Sequence, residues 1–211
     1  MDIHEFIRKI GVNTFVEIGV HFGEDTRVFR NMYPNARIVG FEPDPRNVNI
    51  IRDTGIDTIC EFYPVALSDT NGVREFYMSS GDAKNIHPDP QHRENDWSSS
   101  SSLKRPTGHL SMHPWITFPN KAMVECRRLD DIQSLKTGII DFMWVDVQGA
   151  EDIVFAGAKD TLSRTRYVYT EYASGLYEGQ LNRTQLIALF GNKWSVVHDF
   201  GGDILLKNMY I

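Results

Sequence analysis

The amino-acid sequence predicts an α/β fold with a seven-stranded, mostly parallel sheet and helices on both of its faces. Short apolar runs alternate with helix-like stretches over the first 63 residues and again from residue 139 onward. Two of the early runs end in a glycine turn or an acidic residue, which is typical of strands that reach a ligand in a doubly wound sheet. The last two runs are joined by Gly201-Gly202, a connection so short that it permits only an antiparallel hairpin.

The N-terminal third supplies the first three strands. Apolar spacing predicts helices over residues 2–10, 23–33 and 45–54. Buried parallel strands are expected over residues 14–19, 37–42 and 58–63. Pro45 fits the first helical position, and Val28, Phe29 and Met32 are expected to face inward.

The middle of the chain has a different pattern. Residues 65–67 and 73–78 flank an Asp-Thr-Asn-Gly sequence, which predicts a hairpin. Residues 80–119 show no clear period and form a loop-rich insertion, either a flexible surface loop or a lid that faces the substrate. Its apolar side chains, such as Trp97 and Trp115, favour the lid.

The C-terminal half continues the alternation. Strands are predicted over residues 139–147, 166–171, 194–199 and 203–207. Helices are predicted over residues 150–163 and 181–190. Within the first of these strands, Phe142 and Trp144 are expected to pack in the core. The whole chain, residues 1–211, is therefore predicted to form a single domain.

Composition limits the classes of function. The net charge of −6 shows no basic footprint for a nucleic acid, and no apolar run is long enough for a membrane helix. Cys60 and Cys126 cannot form a disulfide framework or a four-cysteine zinc site, and no metal is expected. The acidic N-terminus lacks the features of a signal peptide, so a cytoplasmic protein is expected.

The turn after the first strand reads Glu17-Ile18-Gly19-Val20-His21-Phe22-Gly23. Its glycines would let the backbone approach a ligand closely. The spacing is not Gly-x-Gly-x-x-Gly, and Gly-Lys-Ser/Thr is absent, which argues against a dinucleotide or a nucleoside triphosphate. We expect His21 to contact a cofactor through its backbone.

Glu42 ends the second strand and is followed by Pro43. An acid at this point can accept both hydroxyls of a ribose, although a strand-end acid can also be simply solvated. Together with the Gly19 turn it predicts a nucleoside site, and a nucleoside without a phosphate requirement indicates S-adenosylmethionine. Glu17 would then lie near the amino-acid part of this cofactor and its ammonium group.

Candidate catalytic residues follow the later strands. Asp146 ends a strand beside the first one and should face the reactive methyl group, unless it only caps the next helix. Glu171 should reach the same edge, where a backbone-bonded acid is the alternative. His109 could act as a base from the insertion or be an exposed loop histidine. Tyr172 and Tyr177 fall where the wall of an acceptor pocket is expected.

The order of five motifs resembles the FkbM-type methyltransferase family. These motifs are Glu17-x-Gly19-x-x-x-Gly23, Val39 to Pro43, Val65 to Asp69, Arg128 to Ile132 and Ile140 to Glu151. The most specific of them is Asp146-Val147-Gln148-Gly149-Ala150-Glu151, in which Gln148 stands where the family commonly has glutamate.

The resemblance implies a Rossmann-like class I methyltransferase that uses S-adenosylmethionine to methylate a hydroxyl of a small molecule or glycan, most often a sugar. It also implies that Ala66, Leu67 and Ser68 lie near the adenine and that Glu42 binds the ribose. Two rival functions are a nicotinamide-dependent oxidoreductase and a binding or scaffold module of the same fold without turnover. Cofactor preference distinguishes the first rival, and any methyl transfer excludes the second.

Overall fold

A computed structural model of the chain describes residues 1–82 and 96–211, arranged as two β-sheets with flanking helices. The strands are β1 (Thr14–Ile18), β2 (Arg37–Phe41), β3 (Glu61–Tyr63), β4 (Ala66–Leu67), β5 (Gly72–Gly81), β6 (Ile116–Arg127), β7 (Ile140–Val145), β8 (Thr165–Glu171), β9 (Trp194–Asp199) and β10 (Asp203–Asn208). The helices are α1 (Ile3–Ile10), α2 (Glu24–Met32), α3 (Pro45–Asp53), α4 (His109–Met112), α5 (Glu151–Ala156), α6 (Lys159–Ser163) and α7 (Arg183–Phe190).

The large sheet has the order β3-β2-β1-β7-β8-β10-β9 and confirms the predicted fold class. β1 is an inner strand between β2 and β7, and all the pairs from β3 to β8 are parallel. β10 runs antiparallel to both β8 and β9, so the Gly-Gly hairpin forms as expected. Because the inner strands are apolar on both faces, helices α1 and α2 cover one face while α5 and α7 cover the other.

The ends of the helices have recognisable causes. The Asp2 carboxylate accepts a hydrogen bond from the Glu5 backbone at 2.8 Å and starts α1. Pro45 occupies the first turn of α3, and Asp44 caps it. The single helix predicted over 150–163 is instead two helices, because a Cβ at Gly157 would lie 2.0 Å from the Ser68 carbonyl oxygen and this close approach ends α5.

The predicted hairpin over residues 65–78 is wrong. β4 and β5 belong to one small sheet but do not pair with each other, because β6 lies between them in the order β4-β6-β5. β6 is antiparallel to β5 and parallel to β4. The start of β6 lies inside the predicted insertion, and no strand was predicted over residues 120–127.

The insertion is therefore shorter than predicted. Residues 96–115 contain the single-turn helix α4 and an isolated bridge between Ser102 and Tyr77, so this part is ordered. The rest of the predicted lid, residues 83–95, lies outside the described residues. Two smaller differences concern the N-terminal third: Val28 is exposed, and a 3-10 turn at Ile56–Thr58 shortens the third strand. Within the ranges described, no helix is long and apolar enough to cross a membrane.

Candidate active site

A cavity of about 460 Å³ opens at the carboxyl ends of β1, β2 and β7. This is the edge at which open α/β sheets bind ligands. Of the residues expected to bind a cofactor, the lining includes Gly19, Val20, His21, Glu42, Pro43, Ala66, Leu67 and Asp146. The other three, Glu17, Gly23 and Ser68, are absent from the lining.

The two glycines of the first turn pack against protein atoms. Gly19 has φ +96°, and a Cβ there would lie 1.9 Å from the Asp146 carbonyl oxygen. Gly23 has φ +82°, and a Cβ there would overlap the Ile56 side chain. Gly19 thus lets β1 and β7 approach each other while its backbone still lines the cavity, and Gly23 is required by packing behind it.

Glu42 is buried at the end of β2. Its Oε2 accepts the His21 backbone N–H at 2.9 Å, and its Oε1 accepts the Asp44 backbone N–H at 2.8 Å and the Asn47 side-chain amide at 3.3 Å. Burial raises the pKa of Glu42 to about 8, although these hydrogen bonds oppose the shift. The carboxyl is therefore fixed in one orientation, in which Oε1 accepts two hydrogen bonds and Oε2 accepts one and can take a second from the cavity.

The backbone N–H of His21, which was expected to contact the cofactor, instead donates to the Glu42 carboxyl. Its φ of +54° turns the imidazole toward the serine-rich segment, where Nε2 lies 2.9 Å from Ser98 Oγ and 3.2 Å from Ser99 Oγ. Nδ1 lies 3.2 Å from Glu24 Oε1. The ring thus joins the Gly19 turn to the wall formed by the serines.

Glu17 and Ser68 lie behind the cavity wall. Thr26 donates a hydrogen bond to Glu17 at 2.5 Å, and burial raises the pKa of Glu17 well above its ordinary value. Ser68 is buried and donates from its hydroxyl to Asp69 at 3.1 Å. Glu17 is the fourth residue of β1 and Ser68 directly follows β4, and neither residue is part of the lining.

Asp146, Gln148 and Glu171 form a cluster where β7 and β8 end. The Gln148 amide nitrogen donates to Asp146 Oδ1 at 2.7 Å and to Glu171 Oε2 at 3.2 Å. Burial, together with the neighbouring Asp146 and Glu151 carboxyls, raises the pKa of Glu171 to about 9. The two predicted catalytic carboxyls are therefore adjacent and share one amide donor.

The structure does not bring His109 into this cluster. His109 is buried in α4, with its ring centroid 5.4 Å from that of Tyr177, and it is not among the lining residues. Tyr177 is not in the lining either: its hydroxyl donates to the Ser100 carbonyl at 2.7 Å and lies 3.4 Å from Gln148 Oε1. Tyr172 binds Asp199 at the protein surface instead. Tyr177, packed against His109, thus supports the serine-rich residues 97–103 on the side away from the cavity.

The serine segment, residues 97–103, forms much of the wall opposite the sheet. Ser98 donates to Asn47 at 2.7 Å, and Ser101 donates to Asp44 at 3.1 Å. The predicted lid is therefore, in its described part, a wall tied to α3. Such a segment has no periodicity, and its apolar residues, Trp97 among them, were the signal that indicated a role at the site.

Some lining residues were not predicted, and three of them bear on the chemistry of the site. Glu24 and Asp25 line the cavity from the first turn of α2, and Trp144 lines it although its strand predicted a core position. The run of acidic residues after Gly23 was the available signal for Glu24 and Asp25. In the described ranges, no group of three or more His, Cys, Asp or Glu side chains is arranged to hold a metal ion.

Comparisons with known proteins agree with this geometry. The methyltransferase FkbM domain family matches residues 17–203. A 2-O-methyltransferase, NoeI, from Sinorhizobium fredii is 39% identical over 201 residues, which cover 92% of this chain and 78% of the relative.

Solved structures share the fold at low sequence identity. Methyltransferase FkbM from Methylobacillus flagellatus superposes with a TM-score of 0.52 at 13% identity, over 93% of this chain and 43% of that one, so this chain spans less than half of that protein. The O-methyltransferase TomG from Streptomyces achromogenes, solved with S-adenosylmethionine, gives 0.51 at 11% identity, over 98% of this chain and 77% of that one. The family match, the relative and the cavity lead to one conclusion: this chain belongs to the FkbM methyltransferase family and uses S-adenosylmethionine as its methyl donor.

Proposed function

We propose that this methyltransferase transfers the methyl group to a hydroxyl oxygen, and that the hydroxyl belongs to a saccharide. The observation that carries the proposal is a single cavity lined both by a carboxyl suited to a ribose and by Asp146, which is tied to Glu171. The 39% identical relative is named a 2-O-methyltransferase, which supports an oxygen acceptor.

The lining fits the donor. Glu42 would accept the ribose hydroxyls, and the apolar Ala66 and Leu67 would contact the adenine. Gly19 and Asp146 border the end where the methionine part would lie. The bound donor supplies a methyl group on a positively charged sulfur, and the carboxyls at this end of the cavity provide the matching negative charge.

The acceptor hydroxyl must lose a proton as its oxygen forms the new bond. Asp146 lines the cavity and would receive this proton, and Glu171 would assist from beside it, because both carboxyls bind the Gln148 amide. Gln148 itself cannot act as a base, but its amide holds both carboxyls at the site of transfer. The remaining catalysis is alignment of the two reactants.

Thermal unfolding with S-adenosylhomocysteine, beside NAD as a control, tests the donor site. Ligand at ~100 times its dissociation constant adds ~2.7 kcal/mol to stability, which is a rise of roughly 5–10 °C for a chain of this size. A rise with NAD alone, or with neither ligand, would contradict the proposal.

Methyl transfer tests the catalytic pair. Using tritium-labelled S-adenosylmethionine and a panel of saccharides, we expect Glu171→Gln to lower kcat by about 10²–10⁴-fold while the affinity for S-adenosylhomocysteine stays unchanged. Glu75→Gln, on the exposed surface of the small sheet, is the matched control. Equal kcat values for the two variants would remove Glu171 from the mechanism.

A further inference from the structure

We propose that the acceptor binds against a wall formed by Trp144 and Asp25, and that this wall accepts neutral or cationic saccharides and rejects anionic ones such as uronates and sugar phosphates. The inference rests on the proposed function and specifies its substrate. It places the acceptor on the sheet side of the cavity rather than on the predicted lid.

Trp144 is an exception within its strand. Its neighbours Met143 and Val145 are at most 1% exposed, whereas Trp144 is half-buried and lines the cavity. Its ring is fixed by Tyr169 at 4.2 Å between centroids and by His4, which stacks at 6.2 Å and 11°. An indole held in this way presents a rigid apolar edge or face, and the C–H face of a sugar ring is a good partner for such a surface.

Asp25 supplies the polar part of the wall. It lies in the first turn of α2 and lines the cavity. Among residues 1–82 and 96–211, no group hydrogen-bonds to its carboxyl, whereas neighbouring Glu24 accepts the Phe22 backbone N–H. Vicinal hydroxyls of a saccharide are suited to such a carboxyl, because each can donate to one of its oxygens.

The described charged groups around this wall are mostly acidic, and the exception is His4, which stacks on Trp144 and interacts with the Asp25 carboxyl. Asp25 and Asp146 line the cavity at this end, Glu171 lies outside the lining but shares the Gln148 amide with Asp146, and Asp203 interacts with Asp146 from β10. Within the described part of the chain, no lysine or arginine lines the cavity. A carboxylate or phosphate on the acceptor would therefore meet like charges, and among the described residues no lysine or arginine of the lining would compensate them, whereas a hydroxyl or an ammonium would be stabilised.

This selectivity constrains the order of reactions. A nucleotide-activated sugar carries two phosphates and would be excluded by the same charges. The methylation step should therefore follow the transfer of the sugar from its activated, phosphorylated donor to a glycoside or glycan.

The experiment compares matched acceptors. The full chain, saturated with tritium-labelled S-adenosylmethionine, is given methyl glycosides of neutral hexoses, 6-deoxyhexoses and 2-amino-hexoses, and beside each neutral hexose its uronate and its 6-phosphate. We expect kcat/KM for the anionic member of each set to be lower by roughly 100-fold. The affinity of each variant for S-adenosylhomocysteine is measured first, so that failure of the donor site is distinguished from failure of the acceptor wall.

Two variants test the wall itself. Asp25→Asn should raise KM for the neutral acceptor by about 10-fold and reduce the discrimination against the uronate. Trp144→Phe keeps an aromatic ring in the core and should also raise KM. Asp53→Asn, on the exposed end of α3, and Trp194→Phe, on β9, are the matched controls.

Three results would overturn the inference. These are equal methylation of neutral and anionic acceptors, Asp25→Asn and Trp144→Phe kinetics equal to those of the controls, or binding of S-adenosylhomocysteine by a protein that neither binds nor methylates any neutral saccharide. If S-adenosylhomocysteine itself fails to bind, the proposed function fails and the inference fails with it.

Discussion

Replacing Gly19 by alanine tests how the site is held together. The new methyl group would lie 1.9 Å from the Asp146 carbonyl oxygen, and the backbone would retain a φ of +96°. Gly201 offers a matched control, because its φ is +85° and a Cβ there meets no atom within 4 Å.

The expected loss of stability has two sources, the positive φ and the overlap of the new methyl group with the Asp146 carbonyl. Holding alanine at positive φ costs ~1–2 kcal/mol at either position. At Gly19 the overlap with backbone adds ~1–3 kcal/mol, because β1 and β7 must separate and strain the 2.9 Å bond from the Asp146 N–H to the Ile18 carbonyl. We therefore expect Gly19→Ala to lower the free energy of unfolding by ~2–5 kcal/mol and Gly201→Ala by ~1–2 kcal/mol.

Urea unfolding of both variants measures this difference directly, and titration with S-adenosylhomocysteine reports on the cavity. Gly19→Ala should be the less stable variant and should bind the ligand more weakly, whereas Gly201→Ala should bind it normally. If the two substitutions cost the same free energy, the close approach of Gly19 to Asp146 does not stabilise the fold and the reasoning is refuted.

Three further outcomes are expected. Glu42→Gln should weaken S-adenosylhomocysteine binding by about 10–100-fold, because the amide has one acceptor oxygen where the carboxyl has two, and its NH2 group would face either the ribose or the N–H donors of His21 and Asp44; calorimetry measures this, and wild-type affinity would remove Glu42 from the ribose site. The ligand-free protein should lose stability as pH rises from about 5 to about 9, because burial raises the pKa of Glu42 to about 8 and that of Glu171 to about 9, so the folded state holds protons that the unfolded state releases; a pH series of urea midpoints that is flat or rising would contradict this. Tyr177→Phe should lower the free energy of unfolding by ~1 kcal/mol and expose the serine segment to proteolysis, since the 2.7 Å hydrogen bond from its hydroxyl to the Ser100 carbonyl is lost. Unchanged cleavage at Ser98–Ser102 would show that this hydrogen bond does not hold the segment in place.

The large sheet could be predicted because its strands carry one strong signal. β1, β2 and β7 are short apolar runs buried on both faces, and helix-like periodicity separates them. The small sheet could not be predicted in the same way. β6 contains Pro119, which the register accommodates at an irregularity opposite Met78 and Ser80, and Met123 is exposed. Alternation is therefore weak over this strand.

The candidate site was predictable where it depends on strand ends. Glu42 and Asp146 follow buried strands, and a parallel sheet brings such residues to one edge. The remaining lining depends on contacts between distant segments. Trp144 has the sequence context of a core residue and lines the cavity because the packing around β7 leaves one side of its ring open. His109 had the chemistry of a base, but its helix packs behind Tyr177.

The pairing of Gly81 with Ile116 places both ends of the intervening segment at one point of the small sheet. A segment anchored in this way behaves as an exchangeable module, because the entropy of closing a loop changes by only ~0.6 kcal/mol for each doubling of its length. A change in the length of this segment alone is therefore cheap in free energy. Its serines are constrained more strongly, because Ser98 and Ser101 bind Asn47 and Asp44 beside the ribose carboxyl, so an exchanged segment must keep these two contacts to leave the donor site unchanged.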